Sequence, residues 1–177
     1  MQRLIIITVL WVGFILQAVA AEMLSSGVVA KGTQWETAFY QRDSGVDGPV
    51  VLVTGGIHGN EPAGARVAEQ IRHWPLKKGR LIVVPRANIP GLKAGTRYLP
   101  GESKLLHNLN RNFPMTDGEL GARGVLAAAL WEFVESSRPD WLIDLHEGID
   151  FHQINSESVG SSIIDVKGEA AELVVPR

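Results

Sequence analysis

The sequence predicts an α/β domain, a mixed and largely parallel β-sheet flanked by helices. Two observations carry that expectation. Apolar, β-branched runs recur at 49–54 (PVVLVT), 80–85 (RLIVVP) and 141–145 (WLIDL), the length and composition of strands buried on both faces of a sheet. Between them lie segments of helical periodicity and one long irregular stretch, and a β-α-β-loop-α-β order is the pattern of a sheet with helices packed against it.

Taken in order, residues 36–42 read as a short strand containing Thr37, Phe39 and Tyr40. Asp43-Ser44-Gly45 and Asp47-Gly48 then supply turn chemistry. Gly55-Gly56 ends the PVVLVT strand. Asn60 is the expected N-cap of the next helix, and Pro62 suits its first turn. Val67, Ile71 and Trp74 recur at helical spacing, which predicts a helix over about 61–73. Residues 86–114 are rich in Gly, Pro and Asn and read as one long loop, a feature that is usually functional. A second helix is expected over 119–137, with Leu126, Leu130, Phe133 and Val134 on one face and Pro139 as its stop.

The bulk numbers set limits on function. A chain of 177 residues, 45% hydrophobic and 20% charged, suits one globular domain with a real core. Its net charge is −2 and its basic residues are scattered, so neither a nucleic-acid stripe nor a charged interaction tail is expected. The absence of cysteine excludes disulfides, thiol nucleophiles and Cys-type zinc modules, and restricts any metal site to His, Asp and Glu.

Residues 1–20 form a separate object. Arg3 precedes an almost unbroken apolar stretch from Leu4 to Leu16, and Ala18-Val19-Ala20 is a small-x-small cleavage site. That is the layout of a secretory signal peptide, with an uncleaved membrane anchor as the alternative. The expected location of 21–177 is therefore secreted or periplasmic, without stable membrane insertion once the signal is removed.

Polar residues cluster just after two of the apolar strands, where open α/β sheets gather their functional groups. One strand runs into Gly55-Gly56-Ile57-His58-Gly59-Asn60-Glu61, the other into His146-Glu147-Gly148. Two imidazoles and one carboxylate, with a fourth position left to water, form a recurring catalytic zinc shell. An open position lets the metal lower the pKa of water and polarise a carbonyl, and imidazole ligands suit zinc better than magnesium. An HxxE pair also arises often by chance, so on spacing alone ordinary polar loops remain the alternative. His73, at a helix end, and His107 and His152, in polar loops, read as solvated or substrate-adjacent rather than ligating.

Three segments carry a family resemblance. Residues 56–64 (GIHGNEPAG) resemble the HGNExxG signature of the succinylglutamate desuccinylase/aspartoacylase family, relatives of the zinc carboxypeptidases. Asn110-Arg111-Asn112-Phe113-Pro114 is similar to its NRxFP segment, and Asp144-Leu145-His146 to its DLH motif. The resemblance implies the N-terminal portion of a zinc-carboxypeptidase-like fold, Zn2+ held by His58, Glu61 and His146, and hydrolysis of an amide bond next to a carboxylate. It implies a small-molecule or peptide substrate whose carboxylate is gripped by Arg111, with Asn110 beside it, through a two-pronged hydrogen bond. It also implies that Arg97, in Thr96-Arg97-Tyr98, stabilises charge on the attacked carbonyl oxygen. A surface salt bridge for Arg111 and an ordinary loop role for Arg97 are the alternatives. Glu147 reads as a solvated carboxylate, with support of the ligand residues as the alternative.

Two departures from the family pattern stand out. Asn108 occupies the position of an acidic residue that holds a zinc histidine in its ligating tautomer, and such partners are commonly worth about 10–100-fold in affinity or activity. The family's downstream general-base glutamate would fall beyond Arg177, and neither Glu157 nor Glu169 sits in a matching motif. The sequence therefore reads as a truncated hydrolase, with a zinc-binding domain devoid of catalysis as the alternative.

Overall fold

The structure, a computed structural model, describes residues 22–114 and 121–148. The leader-like segment, His152, Glu157, Glu169 and the expected start of the second helix lie outside those residues. Among the described residues, no helix is long and apolar enough to cross a membrane.

Five strands form one mixed sheet in the order β1-β2-β4-β3-β5: β1 (Met23–Val29), β2 (Thr37–Asp43), β3 (Val50–Gly55), β4 (Arg80–Val84) and β5 (Trp141–Leu145). The central strand β3 pairs in parallel with β4 on one side and β5 on the other. β2 joins β4, and β1 joins β2, in antiparallel fashion. The expected parallel core is present, and an antiparallel ribbon extends it on one side. β1 is not legible in the sequence, because Ser25, Ser26 and Gly27 carry little strand preference and only pairing with β2 holds them extended.

Alternation along the strands sends side chains to two separate cores. Val51 and Val53 of β3 and Leu81 and Val83 of β4 pack on one face with Ala68, Ile71 and Leu145, beneath helix α1 (Pro62–Ile71). On the other face Val84 joins Ile57, Leu109, Leu126, Ala127 and Leu130, the last three from helix α3 (Val125–Ser137). Phe39 of β2 meets Phe133 of α3 with ring centroids 4.5 Å apart. The apolar face expected of α3 is the one it buries.

Of the large residues that suggest the packed stripe of helix α1, Ile71 alone joins the core. Val67 and Trp74 are exposed, whereas Gly64, Ala65 and Ala68 are buried. The reason is proximity. A Cβ at Gly64 would collide with the Leu145 carbonyl, and one at Gly55 would lie 2.6 Å from the Gly64 oxygen. Only small residues let the helix come down onto the ends of β3 and β5.

The stretch 86–114 is not free of regular structure. It contains the short helix α2 (Ile89–Ala94) and a 3₁₀ turn (Leu109–Arg111). The Asn88 side chain accepts from the Gly91 N–H at 2.9 Å, Pro90 sits in the first turn and Gly95 closes the helix with positive φ. Those are ordinary start and stop signals, overlooked because six residues show no periodicity.

β5 is also not the buried strand expected from its composition. Trp141, Leu142 and Ile143 are exposed by 40%, 49% and 43%, since β5 has a strand partner on one side alone among the described residues. An apolar cleft lined by Leu52, Leu130, Phe133 and Leu142 opens along it. An apolar edge of this kind pairs readily with other chains. The purified protein is expected to self-associate in sedimentation velocity, and Trp141→Lys to reduce that association. A monomeric wild type across a wide concentration series would contradict this.

Candidate metal centre

The parallel register places the ends of β3 and β5 side by side, with Gly55 opposite Leu145. Past Gly55 the chain turns through Gly56, at φ +71°, a conformation costly for any residue with a side chain. The turn sends His58 inward, and α1 begins four residues later. Glu61 is the residue that caps this helix, in place of the expected Asn60, yet it makes no side-chain capping bond. Its carboxylate points into the site instead.

There Glu61 sits between both histidines. His58 Nδ1 lies 2.8 Å from Glu61 Oε1, and His146 Nδ1 lies 2.7 Å from Glu61 Oε2. The two imidazole centroids are 4.9 Å apart, and candidate ligand atoms of His58, Glu61 and His146 all fall within 4.8 Å of one another. His58 and Glu61 are buried, while His146 faces the open side. Sequence positions 58, 61 and 146 are thus brought together.

The donor set fits a zinc ion. Both histidines turn Nδ1 toward one buried carboxylate, and each has a partner on its other nitrogen. His146 Nε2 is 2.8 Å from Asp144 Oδ2, whereas His58 Nε2 is 3.4 Å from Asn108 Oδ1. Outer partners of this type hold metal-ligating imidazoles in orientation. Asn108 stands where the sequence comparison put it, with a neutral amide at long range.

Loops from other elements close the site. Arg97 Nη1 donates to Glu61 Oε1 at 2.6 Å, so this arginine lies within the centre rather than on a remote loop. The fully buried Asn88 donates from Nδ2 to the carbonyls of Ile57 and Tyr98, tying together the neighbours of His58 and Arg97. The Leu99 N–H donates to the His107 carbonyl at 2.7 Å, which holds the Arg97 segment against that of Asn108. His107 itself stacks on Tyr98 with centroids 4.0 Å apart, and His73 is exposed beyond the end of α1. Asn110 and Arg111 lie in the 3₁₀ turn after Asn108; Arg111 is exposed, and its guanidinium donates to the Asn110 carbonyl.

Glu147 is not a solvated carboxylate. Its Oε2 accepts the Ala63 N–H at 2.8 Å, and its own N–H donates to Glu61 Oε2 at 3.3 Å. It caps α1 from across the site because Glu61, committed to the histidines, does not. No sequence signal marks this bond, which spans 84 residues. Asp144 enters the sequence reading only as part of the DLH motif, without a role, and Thr54 only as a strand end, although a D-x-H pattern at a strand end places the Asp and His side chains on one face.

The electrostatics are consistent with the geometry. Burial holds His58 below its ordinary value, outweighing the attraction of Glu61. Burial also works to raise Glu61, but hydrogen bonding from His146 and the charge of His58 win and lower it. His146 is pushed up to about 9, foremost by its hydrogen bond to Asp144 and against the effect of burial.

An open α/β sheet with a His-Glu-His centre at its strand ends defines a class, the metal-dependent hydrolases with one ligand position left to water. Comparison with known proteins narrows it. The family model of the succinylglutamate desuccinylase/aspartoacylase catalytic domain matches residues 47–160, and the chain belongs to that family, one of zinc-dependent deacylase- and peptidase-like hydrolases. The N-alpha-acetyl-L-2,4-diaminobutyric acid deacetylase of Halomonas elongata is 35% identical over 107 residues, covering 58% of this chain and 29% of the deacetylase. The crystal structure of an aspartoacylase family protein from Mesorhizobium loti is 33% identical with a TM-score of 0.56, covering 70% of this chain and 40% of that one. A succinylglutamate desuccinylase/aspartoacylase from Rhodobacter sphaeroides, 24% identical, shares the fold with a TM-score of 0.54 over 71% of this chain and 40% of its own. The chain thus spans less than half the length of each of these relatives.

Two outcomes are expected from this geometry. A group whose folded pKa is raised stabilises fully below its unfolded pKa and ceases to do so as pH passes the folded value. For His146 that window runs from 6.5 to about 9. With chelator present, the thermal midpoint should fall across that window, and His146→Ala should flatten the profile. A wild type insensitive to pH there would contradict the assignment. Separately, Glu147→Ala should cost about 1 kcal/mol in chemical denaturation, as for other lost helix caps, with Glu147→Gln retaining most of it; equal stability of all three proteins would exclude the cap.

Proposed function

We propose that this chain carries the metal centre of an exported zinc-dependent hydrolase that cleaves an amide bond next to a carboxylate, in an N-acyl amino acid or a peptide. The observation that carries the reading is the convergence of His58, Glu61 and His146 on one point, from two strand ends and one helix start. Secretion rests on the leader-like residues 1–20, whose composition and cleavage site support it.

His58, Glu61 and His146 would hold the ion. Zinc, when bound, supplies an activated water and a Lewis acid for the scissile carbonyl. The protein's own groups do the rest. Glu61 would offset one of the ion's two charges and is itself oriented by the Glu147 N–H and by Arg97. Arg97 stands next to the ligand carboxylate, where a guanidinium can also offset negative charge developing on a carbonyl oxygen. Arg111 is exposed, and a guanidinium there suits the grip on the substrate carboxylate that the family resemblance gives it.

The substrate class rests on the family resemblance of Arg111, which is exposed in the 3₁₀ turn after Asn108. An acyl group at the metal and a free carboxylate at Arg111 describe an N-acyl amino acid. Peptides with a free C-terminus carry the same two groups, so a carboxypeptidase is the neighbouring reading.

Metal analysis of the purified protein should return about one zinc per chain, lost in both His58→Ala and His146→Ala. Paired assays on an N-acetyl amino acid and a dipeptide decide the substrate class, and Arg111→Ala should raise KM more than it lowers kcat. A folded wild type without zinc would overturn the metal reading. One that binds zinc and hydrolyses neither substrate would retain the site but overturn the hydrolase assignment for this chain.

A further inference from the structure

The two histidines are held in place by different means. His58 is 1% exposed at its side chain, enclosed at the start of the loop, and among the described residues its Nε2 has only the long contact to a neutral amide. His146 has no such enclosure. It lies one residue past the end of β5, on a strand that is itself exposed, and its side chain is 32% open. Packing therefore fixes the first ring and leaves the second to its hydrogen bonds.

Those bonds form a connected line from the sheet to the site. In the parallel register Thr54 of β3 lies directly opposite Asp144 of β5. Thr54 Oγ1 donates to Asp144 Oδ1 at 2.6 Å, which occupies one carboxylate oxygen and turns the other outward. That second oxygen, Oδ2, receives His146 Nε2 at 2.8 Å. Asp144 and His146 are two residues apart, so the pleat directs both to the same side. The opposite ring nitrogen, Nδ1, then faces Glu61 at 2.7 Å. Thr54 is buried and anchors the line in the sheet.

We propose that Thr54 and Asp144 are positioning residues for His146, a cross-strand pair that fixes the ring with Nε2 toward the sheet and Nδ1 toward the metal. The inference rests on the zinc reading of the site. Rotation of His146 would present the wrong nitrogen or none, and the carboxylate hydrogen bond selects one tautomer. His58, already confined by packing, depends far less on Asn108. The site thus concentrates its outer-shell support on the ligand that the fold leaves loose.

The experiment uses the full chain as wild type, Asp144→Asn, Thr54→Val and Asn108→Ala. Zinc affinity is measured by chelator competition, and histidine ring ¹⁵N spectra of the zinc-loaded proteins report which nitrogen is protonated. Asp144→Asn should weaken zinc by about 10–100-fold, the usual cost of losing such a partner, and should mix the His146 tautomers. Thr54→Val should act in the same direction by a smaller factor, and Asn108→Ala should cost less than Asp144→Asn. If Asp144→Asn does not fold, Thr54→Val, nearly isosteric, carries the test through the same spectrum. A wild type that binds no zinc overturns the metal reading itself. A wild type that binds zinc, with Asp144→Asn or Thr54→Val as tight and His146 unchanged in the spectrum, overturns this inference alone, as does an Asn108→Ala loss equal to or larger than that of Asp144→Asn.

Discussion

The site depends on one close approach, that of helix α1 to the ends of β3 and β5. Gly64 lies against the Leu145 carbonyl, and Gly55 against the backbone of Gly64, with no room for a side chain at either position. Glu61 precedes the helix by a single residue, so the depth of this contact sets how far its carboxylate reaches between His58 and His146. Were the helix held off by a larger residue, the buried carboxylate would retreat from both rings. Packing and chemistry are the same constraint here.

That constraint has an electrostatic consequence. A residue at a helix N-cap ordinarily serves its own first turn, but Glu61 is turned inward to the imidazoles and Arg97. The vacated role passes to Glu147, which arrives on the far side of β5 and bonds the Ala63 N–H. The loop bearing His146 is thereby fastened to the helix bearing Glu61. Candidate metal ligands that lie 85 residues apart in sequence are linked through the backbone as well as through their side chains. The buried Asn88 performs a similar service on the other flank, between Ile57 and Tyr98.

Much of this was visible in the sequence where it depended on short-range pattern. The strands β3, β4 and β5 follow from their β-branched runs, α3 from Leu126, Leu130 and Phe133, and the three candidate ligands from their places after strands. Properties that depend on distant partners were not visible. The polar β1 becomes a strand only because β2 offers it a ladder. The stripe of α1 that is buried is the small one, since contact distance outweighed side-chain hydrophobicity. Composition marked β5 as central, and the described sheet leaves it at an edge.

The sequence by itself determined the fold class and the candidate ligands' order along the chain, because strand composition, turn glycines and the motifs around His58, Asn110 and His146 are local properties. The tertiary structure alone decided how those residues are supported. It set Asp144 against Thr54 through strand register, assigned Glu147 to a helix end, and drew Arg97 onto Glu61. Register, contact distance and the direction of a buried carboxylate arise only when segments far apart in the chain compete for the same space. No window of neighbouring residues records that competition.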